Sequence, residues 1–156
     1  MSPPVTVLVR AAEPNDLNAI SVLINFYADL GNLLPRSKNQ IVDNLEHFIV
    51  AEIDSNIVGC ASLELFTPNL AEIRSLMVAA EHQRLGIASK LINTLIARAR
   101  DLNVQRVMAL TYVPELFHKH DFCTVDKSIF PEKVWGICIN CYKFHNCDEI
   151  AVLLEL

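Results

Sequence analysis

The sequence has few of the features that mark membrane and secreted proteins. None of its apolar runs approaches the roughly 18 residues that a membrane-spanning helix needs. The starting segment MSPPVTVLVR lacks the charged, apolar and small-residue order of a secretory signal. We therefore expect a cytoplasmic protein that does not enter the membrane.

Glycine is scarce, with four residues in 156. Neither G-x-G-x-x-G nor G-x-x-x-x-G-K-[ST] occurs, which excludes the usual dinucleotide dehydrogenases and nucleoside-triphosphatases. A surplus of positive charge is missing as well, because the formal net charge is −5. We expect no nucleic-acid partner and a small polar or cationic substrate instead.

The five cysteines do not suit a disulfide framework, because their number is odd and the chain is expected in the cytoplasm. Four side chains that can bind zinc nevertheless fall within ten residues: Cys138, Cys141, His145 and Cys147. Zinc would accept this Cys₃His set, although the spacing differs from that of a standard zinc finger. The alternative is a group of partly buried thiols that pack beside Trp135 and Phe144.

The order of strand and helix patterns predicts an α+β fold in a single domain over residues 1–156, because 52% hydrophobic residues in a chain of this length supply one core. β-rich runs predict strands over 5–10, 48–53, 57–66, 71–78, 106–111, 123–126 and 150–156. Apolar stripes and caps predict helices over about 14–30, 37–45, 88–102 and 114–120. The layer rule arranges them as one mixed sheet of about seven strands flanked by about four helices.

Two details of the central strand and helix follow from periodicity. Alternation along 71–78 predicts that one face of the strand is formed by Glu72, Arg74, Leu76 and Val78. Asn103 is suited to end the next helix in a left-handed conformation. The apolar stripe of that helix consists of Ala88, Leu91, Ile92, Leu95, Ile96, Ala99 and Leu102.

The turn from Gln83 to Ala88, between that strand and helix, has the features of an anion-binding loop. Gly86 has no Cβ and Ala88 is small, so a ligand can approach the backbone where the first amides of the helix point outward. Arg84 can add a charge-assisted contact to a phosphate. The alternative is an ordinary turn between a strand and a helix.

The segment AEIRSLMVAAEHQRLGIASKLI resembles the acetyl-CoA signature of the GNAT N-acetyltransferases, in which [Q/R]-x-x-G-x-[G/A] follows a strand and opens a helix; Gln83, Gly86 and Ala88 match it. The resemblance implies a GNAT fold and acetyl-CoA as co-substrate. The diphosphate would bind the turn, and the pantetheine arm would pair with the strand. The implied coenzyme A residues are Leu76, Met77, Val78, Gln83, Arg84, Leu85, Gly86, Ile87, Ala88, Ser89 and Phe117.

The second half of the chain is similar to amino-acid N-acetyltransferases of the N-acetylglutamate synthase type, as stand-alone domains without an amino-acid-kinase domain. The similarity lies in VMALTYVPELFHKHDF, FPEKVWGICINCYKF and CDEIAVLLEL. It implies acetylation of a small-molecule amine, with an amino acid such as L-glutamate as the first candidate, in a family that is often homodimeric. A protein or peptide N-acetyltransferase and a non-catalytic acyl-CoA-binding or metal-sensing module are the alternatives.

Acetyl transfer needs a base for the amine and a donor to the developing oxyanion. Glu72 matches the glutamate that acts as base in the histone-acetyltransferase branch of the superfamily. Its alternative role is a structural carboxylate paired with Arg74 or with a neighbouring strand. The family's oxyanion donor is a backbone N–H, which corresponds here to the region of Met77 or Val78.

The general acid is less defined, because the chain departs from the family pattern F-Y-x-x-x-G-F. His118 stands at the tyrosine position and Asp121 at the glycine position. The acid is therefore His118, Tyr112 or no side chain at all. The candidates that would bind a carboxylate of the acceptor are Arg36, Arg74 and Lys133.

Overall fold

A computed structural model describes residues 6–29, 36–83, 85–126 and 149–156. Within these ranges the chain forms the strands β1 (Leu8–Ala11), β2 (Phe48–Ile53), β3 (Asn56–Thr67), β4 (Leu70–Val78), β5 (Arg106–Thr111), β6 (Cys123–Val125) and β7 (Ile150–Glu155). Its α-helices are α1 (Leu17–Asp29), α2 (Lys38–Asp43), α3 (Ile87–Asp101) and α4 (Pro114–His118). The predicted α+β class is confirmed. None of the helices described is both long and apolar enough to cross a membrane.

The strands form one mixed sheet in the order β1-β2-β3-β4-β5-β7-β6. Strand β2 is antiparallel to β1 and β3, and β7 is antiparallel to β5 and β6. Strands β4 and β5 are parallel, with Leu70 opposite Arg106 and Glu72 opposite Met108. A parallel pair needs a crossover, and α3 provides it.

The described residues fall into two compact units. The first lies within Met1–Ser62 and Ser75–Thr94, and the second within Leu63–Arg74 and Leu95–Leu156. The core of the first unit includes a cluster of buried side chains: Ile20, Ile24, Ile41, Phe48, Val50, Cys60 and Met77. In the second unit, Leu70, Met108 and Ala151 form a buried cluster against which Leu110 and Leu153 pack. The single domain expected over residues 1–156 stays a prediction.

Local capping and turn chemistry define several element ends. The Ser37 hydroxyl accepts from the Gln40 N–H, and the Gln40 side chain accepts from the Ser37 N–H, which confirms the predicted capping box of α2. Asp54 and Ser55 have φ values of 50° and 68° in the turn between β2 and β3. Asn103 has a φ of 59°, so the predicted left-handed residue after α3 is confirmed.

Two periodicity predictions were wrong in detail. Leu102 lies beyond the last residue of α3 and its exposed fraction is 52%, because the helix ends before the apolar stripe completes another turn. Strict alternation along 71–78 fails at Ser75, whose φ is +55°. A left-handed residue is not extended, so the alternation of faces cannot continue through it.

Candidate active site

The backbone is accessible at Gly86, directly before α3. Gly86 has a φ of +77°, and a Cβ built on it would meet no atom within 4 Å. The Lys90 N–H donates to the Gly86 carbonyl at 3.1 Å, so the first helical hydrogen bond spans the start of α3. The amides before Lys90 belong to the first turn, which carries the positive end of the helix dipole. These features fit an anionic ligand such as a diphosphate.

The side chains around this turn differ in exposure. Leu85 is exposed, Ile87 is buried and Ala88 is half-buried. The amide nitrogen Nε2 of Gln83 donates to the Val78 carbonyl at 3.3 Å, which links the turn to the end of β4. Arg84 lies outside the described residues.

Gly59 on β3 is a structural requirement of this region that sequence reasoning missed. A Cβ at this position would lie 3.0 Å from the backbone oxygen of Met77 and 3.4 Å from side-chain atoms of Ile87 and Leu91. Any larger residue would therefore displace β4 or the start of α3. The available signal was an isolated glycine inside a strand pattern, which often marks close backbone approach.

Ser75, in the second half of β4, accepts hydrogen bonds from two side chains outside this strand. Nη1 of Arg36 donates to Oγ of Ser75 at 3.3 Å, and the thiol of Cys60 donates to the Ser75 carbonyl at 3.4 Å. The exposed fraction of Arg36 is only 6%, and its guanidinium carbon lies 5.3 Å from the centroid of the Phe48 ring. The next residues of β4 are the half-buried Leu76 and the buried Met77 and Val78.

Glu72 and Arg74 form an ion pair on the earlier part of β4. Oε1 of Glu72 lies 3.4 Å from Nε of Arg74, and the exposed fraction of Glu72 is 2%. Nη1 of Arg74 also donates to Oε1 of Glu64 on β3 at 3.2 Å. Glu72 is therefore paired with Arg74, as its alternative structural role requires. Its role as a base stays a prediction.

Glu64 itself was missed by the sequence analysis. The available signal was a carboxylate in the middle of the apolar run of β3. A charge in such a run is expected to have a partner when it is shielded from water.

The α4 region contains the proposed general acids. Nε2 of the exposed His118 lies 2.8 Å from Oγ1 of Thr124 on β6. Asp121 has a φ of +71°, a left-handed conformation that residues other than glycine rarely adopt. Tyr112 is exposed just after β5. Phe117 is buried, and its ring packs edge-on against Phe122 at a centroid distance of 5.3 Å.

Several predicted residues cannot be assigned a place. Lys133 and the proposed zinc ligands Cys138, Cys141, His145 and Cys147 lie outside the described residues. In the described ranges, no group of three or more His, Cys, Asp or Glu side chains could hold a metal ion. Cys60 and Cys123 are free thiols.

Comparison with known proteins gives the same family as the motif. The sequence profile of the acetyltransferase (GNAT) family matches residues 16–122. An uncharacterized N-acetyltransferase of Chlorobaculum tepidum is 35% identical over 99% of both chains. An amino-acid acetyltransferase of Mycobacterium tuberculosis is 33% identical over 76% of this chain and 70% of its own length.

Solved structures agree with this assignment. N-acetylglutamate synthase of Neisseria gonorrhoeae, in complex with coenzyme A and N-acetyl-glutamate, has a TM-score of 0.86 and 27% identity over 97% of this chain. The alignment covers 35% of that synthase, so this chain spans about a third of its length. A Mycobacterium tuberculosis protein in complex with CoA and NLQ has a TM-score of 0.82 and 28% identity, covering 96% of this chain and 99% of that one. The chain therefore belongs to the GNAT acetyltransferase family and is an N-acetyltransferase.

Proposed function

We propose that this enzyme transfers the acetyl group of acetyl-CoA to the α-amino group of an amino acid, with L-glutamate as the first candidate. The observation that carries the proposal is the buried guanidinium of Arg36, held at Ser75 on the strand that leads to the donor turn. Similarity to amino-acid acetyltransferases and to a synthase that binds N-acetyl-glutamate supports the same substrate class.

The donor is held by the end of β4 and the start of α3. The left-handed Gly86 leaves space above the backbone, and the first amides of α3 suit the diphosphate of coenzyme A. The pantetheine arm would run beside the end of β4. The residues proposed for the donor are Leu76, Met77, Val78, Gln83, Arg84, Leu85, Gly86, Ile87, Ala88, Ser89 and Phe117.

Acetyl-CoA supplies the acetyl group as a thioester. Glu72 accepts a proton from the acceptor's ammonium group, which leaves the nitrogen lone pair free to attack the thioester carbonyl. A backbone N–H of Met77 or Val78 donates to the carbonyl oxygen as negative charge develops on it. The C–N bond forms and the C–S bond breaks, the nitrogen releases its second proton to water, and the thiolate of coenzyme A takes a proton from His118, Tyr112 or water.

Arg36 is the favoured ligand for the acceptor's α-carboxylate. A guanidinium has five N–H donors in a planar fork that matches a carboxylate. Arg74 is a second candidate, and two protein carboxylates, Glu64 and Glu72, contact it. Lys133 remains a candidate from the sequence alone.

Coenzyme A release measured across a panel of amino acids, polyamines and peptides tests the proposal. We expect turnover with L-glutamate or a closely related amino acid. Turnover with peptides alone would make the chain a peptide acetyltransferase. A lack of turnover with every amine, together with retained acetyl-CoA binding, would favour a non-catalytic acyl-CoA-binding module.

A further inference from the structure

Ser75 has an unusual backbone conformation for a residue inside a strand. Its φ of +55° lies in the left-handed region, which an L-residue other than glycine rarely adopts and which serine does not favour. Such residues persist where the surrounding structure holds them, and they cluster at functional sites. The side chains that hold Ser75 in this conformation can therefore affect the function of the end of β4.

Two buried side chains from other parts of the first unit hold Ser75. The Cys60 thiol donates to its carbonyl oxygen at 3.4 Å, and Arg36 donates to its hydroxyl at 3.3 Å. Complete burial raises the pKa of Cys60 to about 12, so the thiol keeps its proton and remains a donor at neutral pH. Cys60 also packs in the same core cluster as Met77.

The conformation of Ser75 sets the direction of the backbone that follows it. Leu76, Met77 and Val78 come directly after it on β4, and they carry the N–H groups proposed above to bind the donor and the developing oxyanion. An N–H donor acts at full strength only when it is aimed at the oxygen in the transition state. A change in φ at Ser75 would turn these groups away.

We propose that Cys60 is a positioning residue for acetyl transfer, which acts through its hydrogen bond to the left-handed Ser75 and thereby aims the backbone N–H groups of Met77 and Val78. Arg36 supports the same conformation through the Ser75 hydroxyl. This inference rests on the proposed function, because it concerns the N–H groups of the same site. Cys60 gives the sharper test, since Arg36 is also the proposed ligand for the acceptor.

The test compares Cys60→Ala, Cys60→Ser and Val50→Ala. Cys60→Ala removes the donor, Cys60→Ser restores a donor, and Val50→Ala truncates another side chain of the same core cluster that has no assigned role at Ser75. We expect Cys60→Ala to lower kcat at least tenfold, with the KM for the acceptor within threefold of wild type. Cys60→Ser should recover most of that loss, and Val50→Ala should keep kcat within threefold.

Backbone ¹H–¹⁵N spectra of the folded proteins give a readout that does not need turnover. The amide signals of Leu76, Met77 and Val78 should shift in Cys60→Ala and return toward wild type in Cys60→Ser. Unchanged signals in Cys60→Ala, or an equal kcat loss in Val50→Ala, would overturn the positioning role. Wild-type protein without turnover on any amine would instead contradict the proposed function, while the amide signals would still decide whether Cys60 fixes this backbone.

A second pair of variants checks the backbone conformation itself. Ser75→Gly and Ser75→Ala both remove the hydroxyl that Arg36 contacts, but glycine adopts a left-handed φ without strain. We expect Ser75→Ala to lose more kcat than Ser75→Gly. Equal losses would mean that the left-handed φ does not matter for the reaction.

Discussion

The carboxylate of Glu72 lies 3.4 Å from the guanidinium Nε of Arg74, and both side chains are largely shielded from water. An ion pair of this kind can serve stability alone, since removing one partner leaves the other charge buried. A carboxylate that accepts a proton during catalysis occupies the same kind of environment. Replacing Glu72 with glutamine distinguishes a structural ion-pair role from the role of a catalytic base.

Glu72→Gln should lower kcat about a hundredfold or more at neutral pH, because an amide cannot accept the proton of the acceptor's ammonium group. The dissociation constant of acetyl-CoA should stay within threefold of wild type. The loss should shrink at a pH at which the acceptor amine is already uncharged. Steady-state kinetics over a pH series and equilibrium titration with acetyl-CoA measure these effects.

Glu64→Gln is the matched control, since Glu64 is the other carboxylate on the same guanidinium. If Glu72 is the base, Glu64→Gln should leave most of kcat in place. Equal losses in the two variants, with no recovery at high pH, would show that Glu72 acts only through Arg74.

Gly86→Ala should weaken acetyl-CoA binding by about tenfold, because a left-handed alanine costs about 1–2 kcal/mol and the turn would change shape to relieve it. The space around Gly86 is open, so a clash with another residue cannot explain an effect. Gly86→Asn should bind more tightly than Gly86→Ala, since asparagine tolerates a left-handed φ better. Titration calorimetry compares the two, and equal affinities would contradict the backbone explanation.

Gly59→Ala should destabilise the fold by about 1–3 kcal/mol, the usual range for overpacking, and should also weaken acetyl-CoA binding. The added methyl group would lie 3.0 Å from the Met77 carbonyl oxygen, which as a backbone atom cannot move aside alone. Urea unfolding and acetyl-CoA titration measure the two effects. Gly59→Val should lower both the stability and the affinity for acetyl-CoA further. An unchanged affinity in either variant would show that Gly59 does not contribute to acetyl-CoA binding.

The ion pair between Arg10 and Asp16 predicts how acid affects the stability of the first unit. Nη1 and Nη2 of Arg10 contact the two carboxylate oxygens of Asp16 at 2.7 and 3.0 Å. The hydrogen bond from Arg10 is the main cause that lowers the pKa of Asp16 below its ordinary value, although burial opposes it. A lowered folded-state pKa means that the stabilisation is complete above the unfolded-state pKa, about 3.9, and disappears as the pH falls through the folded-state pKa.

Asp16→Asn should therefore lower the free energy of unfolding by about 2 kcal/mol at pH 7, the size expected for hydrogen bonds to a charged group. The difference from wild type should fall toward zero in acid. Glu52→Gln is the control, because Glu52 also contacts Arg10 but through a single hydrogen bond of 3.3 Å. Urea unfolding at several pH values would contradict the account if the Asp16→Asn difference persisted in acid.

Sequence patterns were sufficient for the order of the described elements. In the described ranges, apolar periodicity together with cap and turn residues identified β1 to β7 and α1 to α4 in their correct order. The left-handed conformation of Asn103 could be predicted, because asparagine at the end of a helix tolerates a positive φ. The end of α3 was placed too late at Leu102, since periodicity does not reveal where a helix stops.

Contacts between residues distant in sequence could not be predicted in this way. Serine carries no signal for a positive φ, so the conformation of Ser75 depends on Cys60 and Arg36, which lie 15 and 39 residues away. The partner of Glu64 depends on strand register, which places Arg74 on the neighbouring strand. The close approach of Met77, Ile87 and Leu91 to Gly59 could not be predicted either, because it depends on where α3 packs on the sheet.

The most direct test of the central claim is detection of the N-acetylated product by mass spectrometry after wild-type enzyme is mixed with acetyl-CoA and L-glutamate. The control acceptor is an amine of similar length that lacks the α-carboxylate, and the control variant is Arg36→Gln. The account predicts N-acetylglutamate with wild type, little acetylated control amine, and at least a tenfold higher KM for glutamate with Arg36→Gln. Equal acetylation of both acceptors, or an unchanged KM in the variant, would contradict it.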